Sequence, residues 1–220
     1  MIELLDIEWR VSEGLTPYGE ALAAMVARAV AVREGTAREL VWLLEHPPLF
    51  TAGTSADPAE LSNPLDFPVH QAGRGGRYTY HGPGQRVGYL ILDLDRRGRD
   101  IRHFVQCLEG WMIDALGQLG IDARREQGRI GIWTGSGSSE AKIGAIGVRV
   151  KRWVTLHGFS INVKPDLTHF SGIVPCGIGE FGVTSVDALG RSSKMVDLDR
   201  ALHATFPTFL GNLGPNEKVP

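Results

Sequence analysis

The chain has 220 residues, of which 43% are hydrophobic and 22% charged, enough for one sizeable core. Its formal net charge of −2 excludes a polycationic nucleic-acid binder, and no apolar run is long enough to span a bilayer, so neither nucleic acid nor membrane is expected as a partner. The two cysteines, Cys107 and Cys176, form no CxxC pair and no Cys/His cluster, so no metal or cofactor is expected.

The N-terminal MIELLDIEWR lacks a basic stretch followed by a long apolar run, which reads as a cytoplasmic protein with no secretory signal. Residues 1–9 read as a first strand. Thr16-Pro17 offers an N-cap with proline at the first helical position, and Leu22, Met25, Val26, Ala29 and Val30 recur at helical spacing up to Gly35. Glu39 to Glu45 reads as a strand ended by His46-Pro47-Pro48, and the prolines at 58, 64 and 68 mark a surface loop. Val87 to Leu94 is a further strand. Ile101 to Leu119 traces a long amphipathic helix closed by Gly120, with Cys107 as a packing residue on it.

Ile130–Thr134 and Lys142–Val150 read as paired strands joined by a flexible GSGSSEA linker, and Trp153–Val163 follows after the Lys151-Arg152 turn. Val196–Phe209 is a closing helix. Strands joined in some places by helices and in others by hairpins predict an α+β domain with a mixed, mainly antiparallel sheet packed with helices. One domain is expected over residues 1–212, with a disordered tail at 213–220.

Three segments carry candidate chemistry. In the first, Pro175-Cys176-Gly177 places a sulfur on a turn, outside any helix interior, while Lys142 heads a glycine-punctuated strand. Strict alternation puts Lys142, Gly144, Ile146, Val148 and Val150 on one face, and Ile143, Ala145, Gly147, Arg149 and Lys151 on the other. An ammonium beside a thiol, which titrates near about 8.5 when free, would favour the thiolate. Taken singly, a strand-end lysine that snorkels and a buried structural cysteine account for both residues equally well.

The second segment, GRGGRYTYHGPGQ at 73–85, frees backbone N–H groups for a ligand; Arg74 could bind an anionic group and His81 could donate to an oxyanion or shuttle a proton. In the third, alternation sets His157 beside Thr155 and Phe159, and Gly158 marks a place where a ligand could lie against backbone. Basic residues bunch at Arg74/Arg77/Arg86, Arg124/Arg125/Arg129 and Arg149/Lys151/Arg152, which either converge on an anionic partner or lie on separate solvated faces.

The order RGGRYTYHGPGQ, KIGAIGVRV, WVTLHGFSINV, IVPCGI and GVTSV, within a stretch from about His46 to Val186, resembles the lipoyl(octanoyl) transferase family, which is similar in fold to the biotin and lipoate protein ligases. The resemblance implies an acyltransferase in which Cys176 accepts an octanoyl (or lipoyl) group as a thioester and Lys142 holds the thiol ready as thiolate. The implied donor is octanoyl-acyl-carrier protein. The implied acceptors are lysines on lipoyl domains of 2-oxoacid dehydrogenases and on the glycine-cleavage carrier protein. Family substrate contacts map onto Arg74, Gly75, Gly76, Arg77, Tyr78, Thr79, Tyr80 and His81, onto Ala145, Ile146 and Gly147, and onto Gly158, Phe159 and Ser160, with His157 beside them. The Arg77-Tyr78 pair departs from the smaller or polar pair usual in the family. Rival readings are an ATP-dependent lipoate or biotin protein ligase, a non-catalytic lipoyl-domain-binding homologue, and a thioesterase-like cysteine hydrolase.

Overall fold

A computed structural model describes residues 7–173, 182–192 and 194–214. The Pro175-Cys176-Gly177 turn, residues 1–6 of the expected first strand and residues 215–220 of the expected tail lie outside them.

The elements in chain order are β1 (Ile7–Leu15), α1 (Tyr18–Arg33), β2 (Glu39–Glu45), β3 (Leu49–Ala52), β4 (Val69–Gln71), β5 (Tyr78–His81), β6 (Gln85–Ile91), α2 (Ile101–Gln118), β7 (Ala123–Glu126), β8 (Arg129–Thr134), β9 (Ala141–Lys151), β10 (Val154–Asn162), β11 (Gly182–Val183) and α3 (Met195–Asn212). Among the described residues, one large sheet runs β1-β2-β6-β10-β9-β8-β7 with β11 beside β9, and a small second sheet runs β4-β3-β5. Pairing is antiparallel except for β1 with β2, β3 with β4 and β9 with β11, so the sheet is mixed and mainly antiparallel as expected.

Period-two alternation in the central strands divides the core in two. One face contributes Leu90, Leu92, Phe159 and Ile161, which pack with Phe104, Leu108, Trp111 and Met112 of α2 and with Leu202, Phe206 and Phe209 of α3. The other face contributes Leu40, Trp42, Val87, Tyr89 and Leu156, which pack under Ala21, Met25 and Ala29 of α1. The small sheet carries its own cluster around Phe50, Tyr80 and Phe170.

Several expectations shift. Strand β1 extends to Leu15, and α1 begins at Tyr18, with Pro17 in the cap position and no side-chain cap. Thr16 is held by backbone bonds, its N–H to the Glu45 carbonyl and its carbonyl to the His46 ring, which ties the helix entry to the end of β2. The buried stripe of α1 is Tyr18, Ala21, Met25, Ala29 and Val32, whereas Val26 and Val30 are 40% and 45% exposed. Apolar residues occur on both sides of this helix, so its phase is set by packing. The GSGSSEA linker is a 3-10 turn with a capping box between Ser136 and Ser139. Helix α3 runs to Asn212, beyond the expected end at Phe209, and Leu213 is buried in the core.

The largest departure is at Ile143. Trp133 pairs with Lys142 and Ile132 with Gly144, so Ile143 is an extra residue on β9, a β-bulge. Adjacent residues of β8 point to opposite faces, and Lys142 and Gly144 therefore do too. A Cβ on Gly144 would meet Met112 of α2, whereas a Cβ on Gly131, two residues before Trp133, would meet Lys142 Cε at 2.3 Å. The bulge overturns the expected shared face of Lys142 and Gly144: it turns the lysine to the side of Ala145 and Gly147, away from α2.

Candidate active site

Cross-strand register builds the floor of a cavity. Gly147 on β9 pairs with Gly158 on β10, which pairs with Tyr89 on β6; two residues along, Ala145, Ser160 and Val87 form the next row. Directly paired residues share a face, so four small residues leave a trough on the α1 side of the sheet. Arg74 roofs it, because a Cβ on Gly147 would meet Arg74 Cδ at 2.7 Å and the Gly75 N–H donates to the Val148 carbonyl at 3.0 Å.

The cavity has a volume of about 390 Å³, in the range of small-molecule sites, and its lining is mainly apolar. Arg74, Gly75, Gly76, Arg77, Tyr78, Thr79, His81, Ala145, Ile146, Gly147, His157, Gly158, Phe159 and Ser160 all line it. Tyr80 does not: it is buried in the small sheet's core, where its hydroxyl meets His169 Nδ1 at 2.8 Å. Lys142 sits just behind the wall, with Nζ donating to the carbonyl of the lining residue Ile130 at 2.8 Å and lying 5.8 Å from the Trp133 ring centre.

The glycine-rich loop has a tighter role than its sequence implies. Arg74 is buried and donates from Nη1 to the carbonyls of Gly75 and Arg77 and from Nη2 to the carbonyl and hydroxyl of Thr51. Its guanidinium thus braces the loop, in place of the expected anion site. Gly73 and Gly76 take φ of +66° and +89°, which glycine adopts without the Cβ penalty. The basic clusters converge only in part: Arg74, Arg77 and Arg129 line the cavity and Arg149 lies against Gly73 beside it, while most of the cluster residues are paired with local carboxylates. Arg77 pairs with Glu60, Arg86 with Asp199, Arg124 and Arg129 with Glu126 and Glu140, and Arg125 with Glu109. Arg149, Lys151 and Arg152 are exposed around the β9–β10 turn.

His157 has φ +61°, a left-handed value rare for a non-glycine residue inside a strand. Its Nε2–H reaches the Ala72 carbonyl at 3.1 Å and its ring meets Tyr89 edge-on at 5.9 Å, so it faces the cavity; the expected place beside Phe159 is corrected. His46, read in the sequence only as a strand end, is fully buried. Its Nδ1–H donates to the Thr16 carbonyl, so Nε2 accepts from the Tyr89 hydroxyl at 2.7 Å.

The His81 tautomer is fixed in the same way. Gln85 Nε2 donates to the Tyr80 carbonyl and to Asn162 Oδ1, and Asn162 Nδ2 donates to the Thr184 carbonyl. Gln85 Oε1 therefore faces His81 Nδ1 at 2.6 Å and accepts its N–H, leaving Nε2 of the neutral ring as an acceptor. Burial first, then the charges of His46, Arg74 and His157, push His81 down to about 3. Burial likewise lowers His46 and His157 to about 4 each. All three are neutral near pH 7.

Sequence reasoning missed Tyr18, Thr51, Val87 and Tyr89 on the cavity wall. Alternation along Val87–Leu94 would have offered Val87 and Tyr89 as a pair. Tyr18 carries no local signal, since its direction follows from the phase of α1.

Comparison with known proteins gives the family. The lipoyl protein ligase A/B catalytic domain family matches residues 17–207. An octanoyltransferase of Rhizorhabdus wittichii is 66% identical over 208 residues, covering 94% of this chain and 93% of that protein. One from Sphingopyxis alaskensis is 66% identical over 211 residues, covering 96% and 97%. At the level of fold, the chain is similar to the bipartite lipoate protein ligase from Thermoplasma acidophilum (TM-score 0.70, 18% identity, 93% of this chain and 84% of that one). A lipoate-protein ligase A bound with ATP gives a TM-score of 0.70 at 18% identity, covering 93% and 86%. The chain belongs to the lipoyl protein ligase A/B catalytic family and, within it, to the octanoyltransferases.

Proposed function

We propose that this acyltransferase moves an octanoyl group from octanoyl-acyl-carrier protein, through a thioester on Cys176, to a lysine amine of a lipoyl domain. The observation that carries the reading is the placement of Lys142. The bulge at Ile143 directs it to the cavity side, and β11, which follows the Cys176 turn in sequence, pairs with β9 at Ala141 and Lys142. The chain therefore returns from the cysteine turn beside the lysine backbone, where the Thr184 N–H donates to the Lys142 carbonyl.

In the first half-reaction the Cys176 thiolate attacks the donor thioester carbonyl, the carrier thiolate leaves, and Lys142 supplies its proton. In the second, the acceptor amine attacks the Cys176 thioester, an amide forms, and the nitrogen's proton returns to the Lys142–Cys176 pair. Thioester exchange is nearly isoenergetic and amide formation from a thioester runs downhill, so no nucleotide is consumed. The trough suits the acyl chain, whose six methylenes contribute about 5 kcal/mol at roughly 0.8 each when buried. The acceptors expected are lipoyl domains of 2-oxoacid dehydrogenases and the glycine-cleavage carrier protein.

The test is nucleotide-free transfer: octanoyl-carrier protein, enzyme and an unmodified lipoyl domain, followed by intact mass. One octanoyl added to the domain is the expected result. Modification only with free octanoate and ATP, retained in Cys176→Ser, would assign a ligase instead.

A further inference from the structure

Among the described residues, the second half of β9 has no strand on its outer side. Strand β8 pairs with β9 only from Thr134–Ala141 to Ile132–Gly144, and an unbroken ladder would next join Ile130 to Ile146. That rung does not form, and the Ile130 carbonyl accepts from Lys142 Nζ instead. The two strands part there, with Gly128, Arg129 and Ile130 lining the cavity from one side and Ile146 and Val148 from the other. The Val148 carbonyl accepts from the Gly75 N–H, so this parity of β9 turns its backbone groups outward, away from β10. Ile146 and Val150 share that parity, and among the described residues their N–H and C=O groups have no hydrogen-bond partner.

The open edge leads to uncompensated charge. Arg149, Lys151 and Arg152 are exposed, and none has a carboxylate partner among the described residues. Asp93 and Asp95 flank Leu94, whose N–H donates to the Trp153 carbonyl of the turn, but they pair with Arg33 and Arg99. Arg152 and Trp153 take φ of +50° and +66° between the paired Lys151 and Val154, a tight two-residue turn that fixes the backbone carrying these cations.

We propose that the open β9 edge from Ile146 to Lys151 seats the phosphopantetheine arm of the acyl-carrier donor. The amide nearest the arm's sulfur bonds the Ile146 backbone, and the phosphate lies at the Arg149–Lys151–Arg152 turn. This deepens the acyl-transfer reading above and rests on it. The arm is an extended chain with two amides, so it can add to a free edge as a peptide strand does. Its roughly 14 bonds from serine oxygen to sulfur span about 17 Å, at about 1.2 Å of advance per bond. From Ile146 to Lys151 the strand also covers about 17 Å, at roughly 3.3 Å per residue. The sulfur end then lies opposite the Ile130 carbonyl that holds Lys142 Nζ, and the acyl chain turns from there into the trough. An acceptor lysine spans only about 6 Å over its side-chain bonds, so a body seated on the turn needs the donor's longer arm to reach Lys142.

The experiment measures single-turnover acylation of the full-length protein. The first two donors are S-octanoyl-N-acetylcysteamine and its isosteric ester, S-octanoyl 2-mercaptoethyl acetate, which keeps the length and lacks the N–H. At subsaturating donor the ester should react about 3- to 10-fold more slowly, the worth of one hydrogen bond. Equal rates overturn the proposal. The second comparison sets octanoyl-carrier protein against octanoyl-pantetheine, for wild type and for the double variant Arg149→Glu with Lys151→Glu. The variant should lower the preference for the carrier-bound donor by about tenfold or more at low salt, through KM, and the deficit should shrink as salt rises. An unchanged preference overturns the proposal. A rise in KM for the lipoyl domain with none for the carrier also overturns it, and assigns the turn to the acceptor. Wild-type protein acylated by no octanoyl thioester would instead overturn the functional reading, and this inference with it.

Discussion

Acidification from pH 7 to pH 5 should destabilise this protein sharply, through three histidines the cavity keeps neutral. His46 and His157 titrate at about 4 in the fold, and His81 at about 3, in each case chiefly because burial penalises the imidazolium. The unfolded chain binds those protons near about 6.5, so between 6.5 and the folded values it holds more protons than the native state, and stability falls as pH falls. At pH 5 each histidine with a folded value near 4 loses about 2 kcal/mol by this linkage. His46 and His157 alone give about 4 kcal/mol, and His81 brings the loss to about 6, against a total domain stability of about 5–15 kcal/mol. Asp93 and Asp199, raised mainly by burial, act in the opposite sense at lower pH, so the comparison stops at pH 5.

The assay is urea unfolding followed by fluorescence at pH 7 and pH 5. With a slope of about 2 kcal/mol per molar, the midpoint should drop by roughly 2–3 M. His46→Gln and His157→Gln should each flatten the pH dependence by about 2 kcal/mol while lowering stability at pH 7. Midpoints that agree within about 0.5 M at the two pH values would refute the reasoning, since a drop of at least about 2 M is required.

Three further substitutions probe the site. Gly131→Ala places a Cβ 2.3 Å from Lys142 Cε at φ +125°, so it should displace the lysine and slow acylation as much as Lys142→Ala, measured by single-turnover labelling; acylation at the wild-type rate would detach Lys142 from the chemistry. Lys142→Ala itself should slow acylation more at neutral than at alkaline pH, where thiolate forms unaided. An equal loss at both would reassign the lysine to positioning. Gly147→Val pushes against Arg74 Cδ, met at 2.7 Å by a Cβ alone, and should lower transfer at least tenfold by lifting the Arg74 loop; unaltered kinetics would mean the loop does not roof the bound chain.

Much of the sheet was legible because alternation and turn residues agree. The strand at Glu39–Glu45 falls where the prolines after it require, and the α2 stripe ends at Gly120, whose φ is +73°. What escaped were features of a single residue. Ile143 looks like any apolar strand position, yet as the extra residue of a bulge it reverses which face Lys142 shares. His157 sits in an ordinary strand pattern, and only its left-handed φ turns it toward Tyr89. The small sheet was missed because strands of three or four residues carry too few positions to show a period. Within the glycine-rich segment, composition identified the loop, but not that Arg74 spends its donors on that loop's own carbonyls and on Thr51.

The proposed route holds a fatty acyl group transiently on Cys176, and intact-protein mass spectrometry reads it directly. Incubation with octanoyl-carrier protein and no acceptor should add one octanoyl mass to the enzyme, map to Cys176, be released by hydroxylamine, and pass to a lipoyl domain added afterwards. Absence of that adduct while the lipoyl domain is still modified in the complete mixture would contradict the covalent route.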